Sequence, residues 1–211
     1  KNNIKNFIYI SSAKVYGEES SRNNFFDEKE KPNPKQEYSI SKYKAELKLL
    51  EILKSSSTNL TIIRPPMIFG KEPNGNLKIL MKAIQYNIPI PLSKTSNKRS
   101  FLGLENLCLF IENILTKRIN GNLIYNVSDG DPISTRDLTQ AIGMALDTKV
   151  KYLLFPDYAL SVLLKIPIIS NILKPLFKDF VIKSLYTKNI NKKMSFIPTH
   201  KLISKDYFKF K

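Results

Sequence analysis

Cysteine and histidine are almost absent from this chain of 211 residues, which has one of each, Cys108 and His200. A single cysteine excludes a disulfide within the chain, and this usage is typical of a reducing compartment, so we expect a cytoplasmic protein. Two such residues cannot form a Cys/His cluster, and no metal site is predicted. Because Cys108 lies among apolar residues with helical spacing, we expect its thiol in the core.

Glycine is also scarce. The seven glycines stand apart from one another, and no Gly-x-x-Gly-x-x-Gly turn occurs. Such a turn between a strand and a helix holds the pyrophosphate of a dinucleotide against backbone N–H groups. The chain as given therefore lacks the usual phosphate-binding loop of a dinucleotide-binding domain.

The chain has no long apolar run. Its most hydrophobic stretch, residues 152–180, is interrupted by prolines and charged residues and falls short of the roughly 20 continuous apolar residues that a membrane span needs. No stable membrane span is expected, while contact of an amphipathic segment with a membrane surface stays open as an alternative. The first residues lead directly into a predicted strand rather than a signal peptide.

Positive charge is in large excess, since 34 lysines and arginines oppose 18 acidic residues for a net charge of +16 at pH 7. One interpretation is lysine spread over a solvated surface. The other is a positive field that attracts an anionic ligand such as a nucleotide diphosphate. Arginine supplies only five of the basic residues, and no nucleic-acid-binding motif is present. Nucleic acid is therefore not expected as a partner.

The first 70 residues predict a strand–helix–strand unit. Residues 7–10 (Phe-Ile-Tyr-Ile) and 60–63 (Leu-Thr-Ile-Ile) are short apolar runs typical of buried parallel strands, and residues 38–54 have helical spacing. Such a unit implies an α/β fold with a parallel sheet, in which ligands bind beyond the carboxyl ends of the strands. Ser11, Ser12, Arg64 and Pro65 fall at those ends.

After the second strand the pattern predicts a mixed α/β region, with helices over 76–86, 105–116 and 134–146 and strands over 123–127 and 150–155. Ser134 and Asp137 have the spacing of a capping box, which marks a helix start. We expect residues 1–70 to form the sheet domain and residues 71–211 mainly a smaller substrate-binding lobe. Residues from about 101 to 128 are expected to return to the sheet domain.

Tyr38 and Lys42 stand four residues apart on the first turn of the predicted helix, so their side chains lie on one side of it. Oxidising an alcohol by hydride transfer needs a base for the hydroxyl proton. A phenol is a poor base at neutral pH unless a neighbouring cation favours the phenolate. The serine hydroxyl of Ser12 at the neighbouring strand end can hold and polarise the reacting oxygen.

Three runs together resemble the extended short-chain dehydrogenase/reductase family, in its NAD-dependent nucleotide-sugar epimerase/dehydratase branch, similar to UDP-glucose 4-epimerases. They are residues 11–17 (Ser-Ser-Ala-Lys-Val-Tyr-Gly), the Tyr38–Lys42 spacing, and residues 62–66 (Ile-Ile-Arg-Pro-Pro). The resemblance implies a partial Rossmann-type parallel sheet. It also implies that the cofactor is NAD or NADP.

The same resemblance implies roles for single residues. Ser12, Tyr38 and Lys42 are the implied catalytic residues, with Ser12 favoured over Ser11 because it directly precedes the alanine in the family's pattern. Ser11, Tyr38, Lys42 and Pro65 are implied to contact the cofactor. The family opens with the glycine-rich turn missing here, so we expect roughly the first 100 residues of the family fold, two or three βα units, to be absent from this chain.

The second half of the chain resembles the sugar-nucleotide-binding half of that family. By this likeness Asn76 and Leu77 contact a UDP-sugar, and Arg99 clamps its diphosphate, a task suited to a planar cation with several donors. The uracil pocket is implied for three consecutive residues, Ile90, Pro91 and Leu92. The resemblance also allows a homodimer.

The residues after Ser12 bear on the reaction. Dehydratases of the family have Thr-Asp-Glu where this chain has Ser12, Ala13 and Lys14. Ala13 can neither donate nor accept a proton, so dehydration is not expected. We favour a UDP-sugar 4-epimerase of surface-polysaccharide synthesis. A reductase of UDP-4-keto-6-deoxysugars is one alternative, and a non-catalytic sugar-nucleotide-binding chain is another.

Overall fold

The computed structural model describes residues 4–20, 24–71, 75–91, 97–116, 121–153, 165–166, 174–185 and 196–203. Its main regular elements are, in chain order, β1 (Asn6–Ile10), α1 (Glu37–Leu53), β2 (Asn59–Arg64), β3 (Met67–Phe69), α2 (Gly75–Gln85), β4 (Phe101–Gly103), α3 (Leu104–Thr116), β5 (Leu123–Asn126), α4 (Thr135–Ala145) and α5 (Thr199–Leu202).

The main sheet has three parallel strands in the order β1-β2-β5. Ile10 of β1 is paired with Ile63 of β2, which is paired with Tyr125 of β5, so the strands end at one edge. The central strand β2 is buried from Leu60 to Arg64, as its uninterrupted apolar run predicts. The predicted strand–helix–strand unit and the α/β fold class are confirmed.

A second, two-stranded parallel sheet pairs β3 with β4. Helices α2 and α4 pack beside it around an apolar core whose largest members are Phe69, Leu80, Met81, Ile84, Phe101 and Ile142. Ser134 caps α4 as its spacing predicts, because its Oγ accepts from the Asp137 N–H at 3.0 Å. The boundary between a sheet domain and a substrate lobe stays a prediction.

Helix α3 shows that the prediction for Cys108 is wrong. This cysteine is exposed, whereas the buried face of α3 carries Leu107, Phe110 and Ile114. A one-residue step turns a helix by about 100°, which places the thiol off the face that meets the sheet. Of the strand predicted over 150–155, the structure has one parallel bridge, between Ile90 and Tyr152, and the last two residues lie outside the described ranges.

Most of the apolar stretch 152–180 also lies outside the described ranges. In the part of the chain that the structure does describe, we find no helix with the length and apolar character needed to cross a membrane.

Candidate active site

The carboxyl ends of β1 and β2 bring the predicted serines beside Pro65. The Ser11 N–H donates to the Ile63 carbonyl at 2.8 Å, and the Ala13 N–H donates to the Pro65 carbonyl at 2.8 Å. These two bonds continue the sheet pairing past its last residues. The backbone at Ser12 therefore turns at the strand edge, where ligands of parallel sheets bind.

Ser12 begins a single 3₁₀ turn at Ala13–Val15, and its Oγ accepts from the Lys14 N–H at 3.2 Å. Its side chain is buried, with 7% of its surface exposed. Ser11 is buried too, and among the described residues its Oγ has no hydrogen-bond partner. A buried hydroxyl without a partner is costly, and a bound ligand would remove that cost.

Helix α1 starts beside this edge and places Tyr38 and Lys42 on its first turns. The Lys42 Nζ donates to the Ile10 carbonyl at 3.0 Å, and it lies 5.9 Å from the centre of the Tyr38 ring. It also lies 5.2 Å from the ring of Tyr9 on β1. Tyr38 is 54% exposed, so its phenol is open to a ligand. The end of β1 and the start of α1 thus bring Lys42, Tyr38 and the two serines into one region.

A buried ion pair holds α1 on β2 below these side chains. Arg64 at the end of β2 donates from Nε and Nη2 to the two carboxylate oxygens of Glu46, at 3.0 and 2.5 Å. Both side chains are buried. Glu46 lies one helical turn beyond Lys42, so the pair fixes the stripe of α1 that carries the phenol and the ammonium.

Tyr16 connects the buried ion pair to Asn126, at the end of β5. The Arg64 guanidinium lies 4.8 Å from the centre of the Tyr16 ring, and the Tyr16 hydroxyl donates to Asn126 Oδ1 at 2.9 Å. Burial raises the pKa of Tyr16, so its phenol stays protonated and acts as a donor. Sequence reasoning missed Glu46 and Asn126. The sequence did contain a signal for the ion pair, namely an acidic residue two turns after Tyr38 and an arginine at the end of a buried strand, since buried charged residues are usually paired.

A separate cleft of about 330 Å³, including its open mouth, lies in the second half of the chain. Its lining is mostly apolar and comprises Met67, Asn76, Leu77, Leu80, Arg99, Phe101, Thr135, Leu138, Pro175 and Leu176. Three residues predicted to contact a sugar nucleotide, Asn76, Leu77 and Arg99, therefore line one space. Ile90 is buried in the neighbouring core and Pro91 follows it partly buried, while Leu92 lies outside the described residues.

Arg99 is the charged group of the cleft. Its Nη1 donates to the carbonyls of Pro175 and Lys178 at 2.6 and 2.9 Å, and its guanidinium lies 5.8 Å from the ring of Phe180. Burial lowers the pKa of Arg99 to about 10, and the side chain is a cation at neutral pH. Among the described residues no partner is found for its Nε and Nη2, which leaves donors for an anion in the cleft.

In the described parts of the chain, no group of three or more His, Cys, Asp or Glu side chains is placed to hold a metal ion.

The parallel sheet, with a helix that starts at its carboxyl edge, defines a Rossmann-like α/β fold. A family model, the NAD dependent epimerase/dehydratase family, matches residues 1–128. The chain belongs to this family.

The curated proteins that are similar in sequence include two 4-epimerases. A UDP-glucose 4-epimerase of Vibrio cholerae is 35% identical over 145 residues, which are 68% of this chain and 44% of that protein. An N-acetyl-alpha-D-glucosaminyl-diphospho-ditrans,octacis-undecaprenol 4-epimerase of Escherichia coli O157:H7 is 32% identical over 158 residues, 74% of this chain and 47% of that protein. The chain therefore spans less than half the length of these relatives.

Among solved structures, the UDP-glucuronic acid 4-epimerase of Bacillus cereus in complex with NAD superposes with a TM-score of 0.68 at 18% identity. The superposition covers 96% of this chain and 60% of that structure. At this identity the likeness establishes the fold of the chain.

Proposed function

We propose that the protein carrying this chain is an NAD-dependent 4-epimerase of UDP-sugars. The observation that carries the proposal is the grouping of Ser12, Tyr38 and Lys42 at one edge of a parallel sheet, in a chain whose two curated relatives above are both named 4-epimerases. The reaction removes the hydrogen at C4 of the sugar and returns it to the opposite face. We place it in the cytoplasm and in surface-polysaccharide synthesis, with a homodimer as the expected assembly.

The residues of this chain fit the nicotinamide end of such a cofactor. The Ser11 hydroxyl, the Lys42 ammonium and the Pro65 backbone lie together at the strand edge, and that hydroxyl has no partner within the described ranges. A bound NAD would supply the hydride acceptor and donor for C4. In this proposal Lys42 and Ser11 hold the cofactor there.

Tyr38 moves the proton. Its phenolate oxygen takes the proton of the C4 hydroxyl as the hydride leaves, and it returns that proton when the ketosugar is reduced on its other face. The Lys42 ammonium lies beside Tyr38, 5.9 Å from the centre of its ring. The Ser12 hydroxyl donates to the reacting C4 oxygen and holds it in place.

Substrate turnover tests this proposal. The protein is incubated with NAD and either UDP-glucose or UDP-N-acetylglucosamine, and the C4 epimer is sought by proton NMR. A parallel reaction contains NADPH and a UDP-4-keto-6-deoxyhexose. We expect epimer from a UDP-hexose, whereas turnover of the ketosugar alone would favour the reductase. Calorimetry that detects UDP but not NAD would favour a non-catalytic binding chain.

The apolar cleft with Arg99 is the proposed sugar-nucleotide pocket. A buried cation attracts an anion more strongly than one in water, because the surrounding dielectric constant is low. The carboxylates of Asp179 and Glu18 already stabilise this cation, and a diphosphate would add to them. In this pocket Asn76 and Leu77 contact the nucleotide, and Arg99 donates from Nε and Nη2 to the diphosphate.

Replacing Arg99 by methionine should weaken UDP binding by about 10- to 100-fold, because charged hydrogen bonds to the diphosphate are lost. Isothermal titration calorimetry measures the affinity. Arg136→Met is the matched control, since Arg136 is exposed on α4 and lies over the Tyr152 ring, 4.9 Å from its centre. Equal UDP affinity in the Arg99 variant and the wild type would contradict the diphosphate role.

A further inference from the structure

Residues 178–185, which we call the strap, lie between the segment 97–100 and the loop that joins β1 to α1. On one side the strap pairs with the segment 97–100. The Phe180 N–H donates to the Lys98 carbonyl at 2.9 Å and the Ser100 N–H donates to the Phe180 carbonyl at 2.8 Å. The Ile182 N–H donates to Ser100 Oγ at 3.1 Å. This segment contains Arg99, so the strap runs along the wall of the cleft.

On its other side the strap pairs with the loop between β1 and α1. The Phe26 N–H donates to the Val181 carbonyl at 2.9 Å, and the Lys183 N–H donates to the Phe26 carbonyl at 2.9 Å. The Ser20 N–H donates to the Asp179 carbonyl at 3.0 Å. The strap is therefore hydrogen-bonded both to the wall of the cleft and to the loop that leads into α1.

Glu28 of that loop connects the end of the strap to the main sheet by hydrogen bonds. Its Oε1 accepts from the Asn126 N–H at 2.9 Å and from the Ser184 hydroxyl at 2.6 Å, and its Oε2 accepts from the Leu185 N–H at 2.9 Å. One partly buried carboxylate thus joins β5 to two strap residues. Bonds to a charged acceptor are stronger than neutral ones.

The beginning of the strap is continuous with the cleft wall. The helical turn at 174–177 precedes it, and Pro175 and Leu176 of this turn line the cleft. Arg99 binds the carbonyls of Pro175 and Lys178, so the turn, the strap and the cleft cation are held as one unit. A shift of the strap would move both the apolar wall and the partners of Arg99.

We propose that Glu28 is a positioning residue for the sugar-nucleotide cleft, because it fixes the strap against the end of β5. This inference rests on the proposed function for the identity of the cleft ligand. Glu28 does not line the cleft, so its effect on the ligand is exerted through the strap.

The test compares Glu28→Ala and Glu28→Gln with the wild type by two measurements. Amide hydrogen exchange of residues 178–185 reports the strap itself and needs no ligand. Calorimetry with UDP reports the cleft. Glu30→Ala, an exposed glutamate in the same loop, is the control. In Glu28→Ala we expect faster exchange in the strap and UDP affinity lower by about tenfold, from the loss of three bonds to a charged acceptor. Glu28→Gln keeps one acceptor oxygen and should recover part of the affinity.

The outcomes separate this inference from the proposed function. If the wild type does not bind UDP, the proposed ligand is wrong. In that case the exchange measurement still tests Glu28, because an unchanged rate of amide hydrogen exchange in the strap of Glu28→Ala would overturn its role. If exchange rises while UDP affinity is unchanged, Glu28 holds the strap without positioning the cleft, and the inference fails. An equal loss of affinity in Glu30→Ala would overturn it as well, since a general charge effect would then explain the result.

Discussion

Replacing Tyr38 by phenylalanine should remove most of the turnover of the enzyme, lowering kcat by about 100- to 10,000-fold, the usual contribution of a general acid–base group. The variant keeps the ring beside Lys42 and loses only the oxygen that exchanges the C4 proton. Because Tyr38 is 54% exposed, the change leaves no buried polar group without a partner. Steady-state kinetics with NAD and the UDP-sugar measure the effect.

Tyr86→Phe provides the matched control, since this tyrosine is 70% exposed and follows α2, far along the chain from the strand edge. Its kcat should equal that of the wild type. UDP affinity should also be unchanged in Tyr38→Phe, because the cleft lies elsewhere. Near-normal turnover in Tyr38→Phe would rule out its acid–base role, and a loss of UDP binding would point to a folding defect instead.

Glu46→Ala should produce a large loss of stability. It leaves the Arg64 guanidinium buried without its carboxylate, and breaking a buried pair on one side typically costs about 3–5 kcal/mol in the free energy of unfolding. The helix that carries Tyr38 and Lys42 also loses its polar attachment to β2. Urea unfolding followed by circular dichroism measures the change in the free energy of unfolding.

The same helix supplies the control. Lys48 and Glu51 form an exposed ion pair at 2.9 Å, and Lys48→Ala should cost about 0–1 kcal/mol. The double variant Glu46→Leu with Arg64→Met removes both charges, and it should recover much of the stability lost in Glu46→Ala. A cost below 1 kcal/mol for Glu46→Ala would contradict the view that this pair anchors α1.

The fold was predictable where local patterns agree with the tertiary structure. The apolar run over 60–63 is continuous because the side chains of the central strand β2 are buried along the strand, whichever face of the sheet they point to. The Ser134–Asp137 spacing marked the start of α4 because a capping box depends on residues three apart. Proximity of Tyr38 to Lys42 likewise follows from helix geometry alone.

Contacts between distant residues were not predictable in the same way. The Glu46–Arg64 pair joins a helix to a strand, and Glu28 reaches residues 184 and 185 far along the chain. No local pattern marks the partners of Glu28, and the signal for the first pair was limited to an acidic helix residue and an arginine that ends a buried strand. The burial of Cys108 was predicted wrongly because α3 is apolar on more than one side, and Leu109 and Leu115 on this helix are exposed as well. The predicted roles in catalysis, cofactor binding and substrate binding stay predictions for every residue named for them: Ser11, Ser12, Tyr38, Lys42, Pro65, Asn76, Leu77, Ile90, Pro91, Leu92 and Arg99.

Asn126 stands where two sets of hydrogen bonds meet. Its side chain accepts from Tyr16, which contacts the Arg64–Glu46 pair between β2 and α1. Its backbone N–H donates to the carboxylate that holds the strap. Suppose that a sugar nucleotide in the cleft stabilises one arrangement of α1. A cofactor bound beside α1 must then stabilise the matching arrangement of the cleft by the same free energy. The affinities of cofactor and sugar nucleotide would then be linked reciprocally, and titrating either ligand in the presence of the other measures that coupling.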